Sequence, residues 1–346
     1  MIVYQKVLPL IIYFATVFLW SCSSSPNQVV FPASKKATLT AFEITEFLAW
    51  PHNLLILGDK ILLYDTQTDW VFKIFSKEDF EHKGNLLRRG RGPGEELNVT
   101  PFSIRHGEDA FLFQGSSSLK IADVQYRNNE LSLAVRKEYA LPAGMYGDYE
   151  FFLLNDKFCS SNTFKPTSRD FRCSDLDTDS IFEWGELTPV QRPKSLPPQE
   201  GFLIAKYNTV HPEGKLLAVA YQNLPILRIY CGQSGQMLHQ LHVADASNNK
   251  KYFEKNLYDE GFLTYYVSIR STSGYIYALY WGSEVSSPRE DYASVLHVWK
   301  WDGTPVMTLE LDRPIYSFDV TPDNKQIIAV SLADVDSLFM ADIPWD

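Results

Sequence analysis

The sequence predicts an all-β protein built from six copies of one small sheet. Six segments share a turn, then Asp, Asn or Gly, and then an apolar strand, and their reference residues are 60, 110, 157, 215, 275 and 325. Stretches with the 3.6-residue periodicity of a long helix are nearly absent. Short strands that recur about every 50 residues are typical of propeller blades. We therefore predict a six-bladed β-propeller in which each segment marks one blade.

Hairpin turns separate the strands within a unit. In the first unit the apolar run that ends at Tyr64 is followed by a polar turn over Asp65–Asp69 and then by a second apolar run. In the fifth unit the run that ends at Trp301 meets Asp302-Gly303, a dipeptide typical of tight hairpins. The best helical candidate, residues 248–259, is short and polar, and we interpret it as a loop insertion. A β-sandwich or two smaller β-domains are the alternatives.

The two ends of the chain predict how the ring closes. After Lys325 the chain has room for two more strands, Gln326–Leu332 and Ser337–Ile343, so the last blade lacks its outer strand. Upstream, residues 36–42 have strand character and belong to no unit. We predict that this N-terminal strand completes the last blade beside Ser337–Ile343. Closing the ring in this way protects strand edges that would otherwise promote aggregation.

The N-terminal residues predict export and lipid attachment. Residues 7–20 carry no charge, but about 20 apolar residues are needed to span a bilayer. We therefore interpret residues 1–21 as a signal peptide, with an N-terminal anchor helix as the alternative. Leu19-Trp20-Ser21-Cys22 resembles the lipobox of bacterial lipoproteins, in which the cysteine is acylated and becomes the new N-terminus.

The lipobox resemblance implies a domain order and a location. A lipid on Cys22 would be followed by a tether over residues 22–35 and by the propeller over residues 36–346. The protein would then be held in the cell envelope by its lipid anchor. We expect the outer membrane, and the residues leave open whether the propeller faces the periplasm or the cell exterior.

The charge balance argues against two classes of partner. The chain has 32 Lys and Arg against 42 Asp and Glu, which gives a net charge of −10. Nucleic acids and anionic lipid head groups attract basic surfaces, so we expect neither to bind this protein. Attachment to a membrane would then depend on the lipid anchor rather than on surface charge.

The cysteine positions suggest one disulfide and no metal centre. Cys159 and Cys173 flank a turn-like stretch centred on Pro166, so a hairpin would place them nearly opposite each other. A disulfide is then possible in an exported protein, and two buried free thiols are the alternative. Cys231 is interpreted as a packed strand residue. No Cys/His pattern of a zinc site is present, and we expect no metal and no cofactor.

The most distinctive motif lies between the first and second units. Residues 88–97 read Arg-Arg-Gly-Arg-Gly-Pro-Gly-Glu-Glu-Leu. This stretch is similar to the Gly-x-Gly-Pro-Gly-Glu loop of the TolB-like six-bladed β-propeller lipoproteins, which are abundant in Bacteroides-type bacteria. The order of the flanking elements over residues 36–105 also resembles that family. The resemblance implies a six-bladed propeller, export and lipid attachment, and it implies no particular activity.

This glycine-rich loop has two possible roles. Its glycines can adopt positive φ, so successive N–H groups could form an anion-binding nest, and an arginine could bind a carboxylate or phosphate. The alternative, which we favour, is a tight connection between blades held in shape by Arg–Glu pairs. The residues of the possible ligand loop are Arg89, Gly90, Arg91, Gly92, Gly94 and Glu95.

Other patterns favour structure over chemistry. Residues 175–186 place acidic residues at calcium-loop spacing, but Ser180 stands where the sharp turn requires glycine, so we predict a hairpin. The seven histidines are scattered, and no catalytic motif is recognisable. The aromatic residues frequent between 265 and 301 are interpreted as packing between blades rather than as a stacking surface for sugars or peptides. No catalytic residue is predicted.

Two functions remain compatible with the sequence. The first is a non-catalytic, membrane-tethered scaffold that docks an envelope protein, a peptide or a glycan on its loop face. The alternative is a metal-dependent hydrolase or lactonase that uses carboxylates at the central channel. Three or more acids and amides converging at the channel mouth would favour the enzyme, because oxygen ligands in such numbers are what a catalytic cation requires.

Overall fold

The computed structural model describes residues 28–104, 110–127, 130–163, 165, 167–187, 204–244, 261–284, 287, 294–331 and 333–345. These residues form 25 β-strands and one 3-10 turn at Ala143–Met145. The predicted signal peptide, Cys22 and the loop insertion at 248–259 lie outside the described residues and stay predictions. No helix in the described part of the chain is long and apolar enough to cross a membrane.

The described strands form six sheets, one for each blade. Two strands, β1 (Ser34–Ala37) and β2 (Thr40–Glu43), precede the blades. Blade 1 consists of β3 (Pro51–Leu57), β4 (Lys60–Asp65), β5 (Trp70–Ser76) and β6 (His82–Arg88). Blade 2 consists of β7 (Thr100–Ile104), β8 (Ala110–Gln114), β9 (Ser118–Arg127) and β10 (Glu130–Ala140). Blade 3 consists of β11 (Tyr149–Leu154), β12 (Lys157–Asn162), β13 (Arg169–Asp175) and β14 (Ile181–Leu187).

The remaining three blades follow the same pattern from inner to outer strand. Blade 4 consists of β15 (Lys206–Val210), β16 (Leu216–Tyr221), β17 (Ile226–Cys231) and β18 (Met237–His242). Blade 5 consists of β19 (Leu263–Ser271), β20 (Tyr275–Glu284), β21 (Val295–Lys300) and β22 (Pro305–Leu311). Blade 6 consists of β23 (Ser317–Val320), β24 (Gln326–Val330) and β25 (Ser337–Asp342), and it takes its fourth strand from the N-terminus.

The repeat found in the sequence marks the second strand of every blade. β4, β8, β12 and β20 begin at the predicted residues, and β16 and β24 begin one residue later. Five of the six turns before the second strand lie within the described residues, and four of them contain a residue with positive φ, namely Gly58, Asn155, Gly214 and Asn324. Gly and Asn tolerate this conformation, which explains why these residue types recur at this position. The six-bladed all-β prediction is confirmed.

The inner strands form a closed ring around a central channel. Each inner strand packs beside that of the next blade, and β23 packs beside β3 to complete the circle. Because strands within a blade are antiparallel, all six inner strands begin at one end of the ring. That end carries the outer-to-inner connections, among them residues 44–50, 89–99 and 141–148, and we call it the loop face.

The ring is closed by the N-terminal strand, as predicted. β2 pairs antiparallel with β25, with Thr40 opposite Met340 and Glu43 opposite Ser337. The structure adds a contact that was not predicted, because β1 pairs parallel with β22 and becomes a fifth strand of blade 5. Gln28 in addition forms a parallel bridge to His242 of blade 4. Residues 28–43, which we call the N-terminal strap, therefore cross the outer edges of three blades.

The strap begins earlier than the predicted propeller boundary at residue 36. Residues 28–35 were expected to belong to the tether, yet Val29 and Phe31 pack against the buried cluster between blades 4 and 5. The ring centroid of Phe31 lies 4.6 Å from those of His297 and Trp299. Val29 and Phe31 are partly buried in this contact. Burying apolar surface is favourable by roughly 25 cal/mol per Å², which explains why this segment packs on the propeller.

Apolar side chains fill the spaces between neighbouring blades. Between blades 1 and 2, for example, the ring of Phe72 lies 5.2 Å from Phe111 and 5.5 Å from Phe113. In blade 5, Trp299 is completely buried, as are the tyrosines at 265, 266 and 277. The interpretation of these aromatic residues as packing is therefore confirmed for the buried ones.

The predicted hairpin positions are found in blade 3. Cys159 on β12 lies opposite Cys173 on β13, and the two form a disulfide. The acidic stretch from Asp175 is the turn between β13 and β14, as the hairpin interpretation requires. Asp175 Oδ1 accepts hydrogen bonds from the backbone N–H groups of Asp177 and Thr178 at 3.0 and 2.8 Å. This carboxylate shapes the turn.

Candidate functional site

The glycine-rich loop is closed by its own glutamate. Gly92 N–H donates to Glu95 Oε2 at 2.8 Å, and the backbone N–H of Glu96 donates to the carbonyl of Arg88 at 3.0 Å. The Glu95 carboxylate thus occupies the position that an external anion would take in a backbone nest. Gly90 and Gly92 have no Cβ where this carboxylate lies, which explains the glycines at these two positions.

The side chain of Arg89 is hydrogen-bonded to the protein backbone. Its Nε donates to the carbonyl of Thr68 at 2.9 Å and its Nη2 donates to the carbonyl of Asp65 at 2.8 Å. The guanidinium therefore fixes the hairpin between β4 and β5. Of the two arginines in the possible ligand loop, Arg89 is half-buried and Arg91 is exposed. The arrangement favours the structural role of the loop, and a ligand role for it stays a prediction that now depends on Arg91.

Replacing Gly90 with alanine is expected to cost about 1–2 kcal/mol of unfolding free energy. The new Cβ would lie 1.8 Å from Glu95 Oε2, so the carboxylate must move and lose its bond to Gly92. In a Gly90→Ala/Glu95→Ala double variant the clash is gone, so its cost should not exceed that of Glu95→Ala alone. Urea unfolding of the wild type, Gly90→Ala, Glu95→Ala and the double variant measures the free energies of this double-mutant cycle. Gly274→Ala is the control, since its Cβ would have no neighbour closer than 4.0 Å. If the stability losses of Gly90→Ala and Glu95→Ala simply add in the double variant, the proposed packing is contradicted.

The central channel is the second candidate site. A cavity of about 50 Å³ lies among the inner strands of blades 1, 3, 4, 5 and 6. Most of the residues that line it stand near the beginning of their strands, on the side of the loop face. The polar and ionisable residues among them include His52, Asn53, Glu150, Tyr207, Asn208 and Arg270.

An arginine and an aspartate join three blades at the point where the ring closes. Arg270 Nη2 donates to Asn53 Oδ1, and its Nε lies 4.0 Å from Asp319 Oδ1. Asp319 Oδ2 in turn accepts the backbone N–H of Ile56 at 2.8 Å. These contacts link β19, β23 and β3. Burial raises the pKa of Asp319 to about 6, although the nearby Arg270 opposes this increase.

Glu150 is the unusual residue of the channel. Its φ is +58°, a left-handed conformation that is uncommon for residues other than glycine and costs about 1–3 kcal/mol. Burial raises the pKa of its carboxyl to about 7, while Arg270 lowers it to a smaller extent. Backbone strain and a perturbed carboxyl in a cavity are typical of functional positions.

We expect Glu150→Gln to remove part of the pH dependence of stability. The unfolded chain releases the Glu150 proton near its ordinary pKa of 4.5, whereas the folded protein holds it up to about 7. The stability that this group contributes is therefore full below about pH 4.5 and is lost as the pH rises through about 7. Because Glu150 is only partly buried, we expect the loss to be about 1–3 kcal/mol.

Urea unfolding below and above this pH range measures the effect. The Glu150→Gln variant should be more stable than the wild type at the higher pH and should show a flatter profile. Glu130→Gln, which removes the same charge from an exposed position, is the control. Equal pH profiles of stability for the wild type and the Glu150→Gln variant would contradict a raised pKa of Glu150 in the folded protein.

The described residues do not form a metal centre. No group of three or more His, Cys, Asp and Glu lies close enough together, within the ranges given above, to hold a metal ion. At the channel, the guanidinium of Arg270 stands beside the carboxylate of Asp319. The acids and amides Asn53, Glu150 and Asn208 do line the cavity, but Asn53 Oδ1 accepts a hydrogen bond from the positively charged Arg270, and this charge opposes a metal ion at the same position.

The sequence did not single out the channel residues. Glu150 and Arg270 are ordinary charged residues in short strands, and the partners of Arg270 come from blades 1 and 6. One signal was available, since Arg270 interrupts an otherwise largely apolar inner strand that includes Val267 and Ile269. A charge at such a position must face the channel or a buried partner.

The chain belongs to the TolB-like 6-blade propeller-like family, whose model matches residues 30–323. A candidate exported protein from Bacteroides fragilis aligns at 11% identity over 90% of this chain and 99% of its own, with a TM-score of 0.57. A member of the DUF4221 family from Bacteroides vulgatus aligns at 12% identity over 88% of this chain and 97% of its own, with a TM-score of 0.49. No curated protein matches the sequence. The family assignment confirms the resemblance seen in the glycine-rich loop.

Proposed function

We propose that this protein is a non-catalytic scaffold that docks a component of the cell envelope, a protein, a peptide or a glycan, on its loop face. Three exposed apolar side chains carry the proposal. Phe47, Leu97 and Tyr146 are 69, 45 and 54% exposed and lie on the connections that enter blades 1, 2 and 3. Single exposed apolar residues are ordinary, but three on successive loops of one face resemble the anchor residues of an interface.

The size of the channel supports binding on the surface rather than turnover inside. Pockets for organic ligands usually measure about 300–1,000 Å³. The channel cavity measures about 50 Å³, which is room for a few water molecules. A lactone or a peptide substrate would not fit inside this channel cavity. A partner would therefore contact the loop face and extend no more than a small group into the channel.

Capture from envelope extracts tests the proposal. Purified wild type is compared with a Phe47→Ser/Leu97→Ser/Tyr146→Ser variant, and the bound proteins and glycans are quantified. A Val135→Ser/Leu238→Ser variant is the control, because it removes exposed apolar side chains from the outer strands of blades 2 and 4. We expect the loop-face variant to lose a partner that the control retains. Equal capture by all three proteins would refute a loop-face interface.

The same scaffold is proposed to be tethered by a lipid on Cys22. The export description of the Bacteroides fragilis neighbour supports an envelope location, and the lipobox-like residues support acylation. Incorporation of a labelled fatty acid into the wild type but not into a Cys22→Ser variant would test the anchor. Equal incorporation, or none in either protein, would refute it.

A further inference from the structure

An acceptor site without a partner lies in the channel. Asn208 is 7% exposed and lines the cavity. Its Nδ2 donates to the carbonyl of Glu150 at 3.2 Å and to Ser161 Oγ at 3.0 Å. Since a carbonyl can only accept, these bonds fix the orientation of the amide. Asn208 Oδ1 accepts no hydrogen bond from any described residue, although a buried polar atom normally has a partner.

Once Glu150 is ionised, the charges around this acceptor sum to a negative value. Of the described ionisable groups at the channel, Glu150 and Asp319 are acidic and Arg270 is basic. The guanidinium of Arg270 is already directed to Asn53 and lies beside Asp319. Burial lowers the pKa of His52 and raises that of Tyr207, so both side chains are neutral near pH 7. An enclosed negative charge is costly unless a positive group balances it.

The geometry limits what can supply the positive charge. The cavity holds only a few water-sized groups, so a guanidinium or a larger cation is disfavoured. Tyr207, His52 and Tyr316 line the same space, and the Tyr316 hydroxyl lies 3.3 Å from His52 Nε2. Their rings offer apolar faces to a methylene chain that leads inward from the loop face.

We propose that the channel binds one primary ammonium group, which pairs with the Glu150 carboxylate and donates a hydrogen bond to Asn208 Oδ1. The ammonium is supplied by a lysine side chain or an amino terminus of the docked partner, a source that rests on the proposed function. The net charge of −10 favours a partner that presents such basic groups.

Methylammonium chloride is the probe for the site itself, and no partner is needed. It should raise the melting temperature of the wild type in a saturable manner and beyond the effect of equal NaCl, because a ligand that binds only the folded state stabilises it. Tetramethylammonium, which is too large and has no N–H donor, should match NaCl. The response should strengthen as the pH rises and Glu150 ionises, with Asp319, Arg270, His52, Tyr207 and Tyr316 as the other ionisable groups at the site.

Variants separate this site from the loop face. Glu150→Gln should abolish the methylammonium response, Glu130→Gln should keep it, and so should the triple loop-face variant. Methylammonium that acts no better than NaCl, or a response that survives Glu150→Gln, would overturn the ammonium site even if a partner still docks. Loss of docking with an intact methylammonium response would instead refute the proposed function alone.

The two sources of the ammonium are distinguished by peptides. A short peptide with a free lysine and an acetylated amino terminus is compared with the same peptide after lysine acetylation. Stabilisation by the first and not by the second assigns the site to a partner's lysine. Stabilisation only by a peptide with a free amino terminus assigns it to a chain end, and a response to methylammonium without a response to either peptide overturns the partner source.

Discussion

Replacing Asp170 with alanine is expected to lower the free energy of unfolding by about 3–5 kcal/mol, the cost of leaving buried charges without their partner. Asp170 stands on β13 and is 2% exposed. Arg228 Nη1 donates to its Oδ2 at 2.7 Å, the Tyr221 hydroxyl donates to its Oδ1 at 2.5 Å, and Lys206 Nζ lies 4.0 Å away. The Tyr230 hydroxyl also donates to Oδ2. All of these partners belong to blade 4, so one carboxylate joins two blades.

The pH dependence of the loss identifies its cause. Burial lowers the pKa of Lys206 to about 8, and Asp170 opposes that decrease. Without Asp170 the pKa of Lys206 falls further, so the folded variant releases a proton that the unfolded chain keeps, and its stability rises with pH. The deficit of the Asp170→Ala variant should therefore shrink as the pH approaches about 8.

Urea unfolding of the wild type, Asp170→Ala and Asp177→Ala measures this prediction. Asp177 is an exposed residue of the same blade, and its replacement should change the stability by less than about 0.5 kcal/mol. A pH-independent deficit would mean that lost packing, rather than unbalanced charge, dominates. A deficit no larger than that of the control would contradict the role of Asp170 altogether.

The repeat and the closing strand could be predicted because they are local patterns. In four of the blades the second strand follows a described turn with Gly or Asn at positive φ, as at Gly58 and Asn324, and such turns can be recognised in the sequence. The missing outer strand of blade 6 followed from the chain length after Lys325. Here strand periodicity and simple counting were sufficient.

Contacts between blades could not be predicted in the same way. Asp170 is 51 and 58 residues from its partners Tyr221 and Arg228, and nothing in a local pattern connects them. The loop glycines were recognised, but only the folded loop shows that they accommodate the carboxylate of Glu95. The strand β1 pairs with β22, and its Ser34 lies opposite Thr308, which is far away along the chain.

The largest effect is expected from removal of the N-terminal strap. A chain that starts at residue 44 lacks β2, so β25 keeps an unpaired edge on the outside of blade 6. It also lacks Leu39, which is 1% exposed in the core between blades 5 and 6. Unpaired edges promote association between chains. We expect this chain to lose cooperative monomeric unfolding and to aggregate, whereas a chain that starts at Gln28 should remain a stable monomer.

A chain that starts at residue 38 separates closure from the added contacts. It keeps β2 but lacks β1, Val29 and Phe31, so it should fold with a loss of about 2–4 kcal/mol, given the partial burial of these side chains. Thermal unfolding and light scattering are measured for the chains that start at residues 28, 38 and 44. Val30→Ser in the longest chain is the control, because Val30 is 81% exposed and should contribute little.

Addition of a peptide that spans residues 28–43 tests the mechanism of closure directly. The peptide should restore cooperative unfolding to the chain that starts at residue 44, because an open sheet edge accepts an added strand through main-chain hydrogen bonds. A peptide with prolines in place of Thr40 and Phe42 should fail. Ile44 N–H donates to the carbonyl of Asp336, so the N–H groups of these alternate residues face β25, and each proline removes one of these donors. If instead the shortest chain unfolds at the same temperature as the longest, the ring does not depend on the strap for its closure.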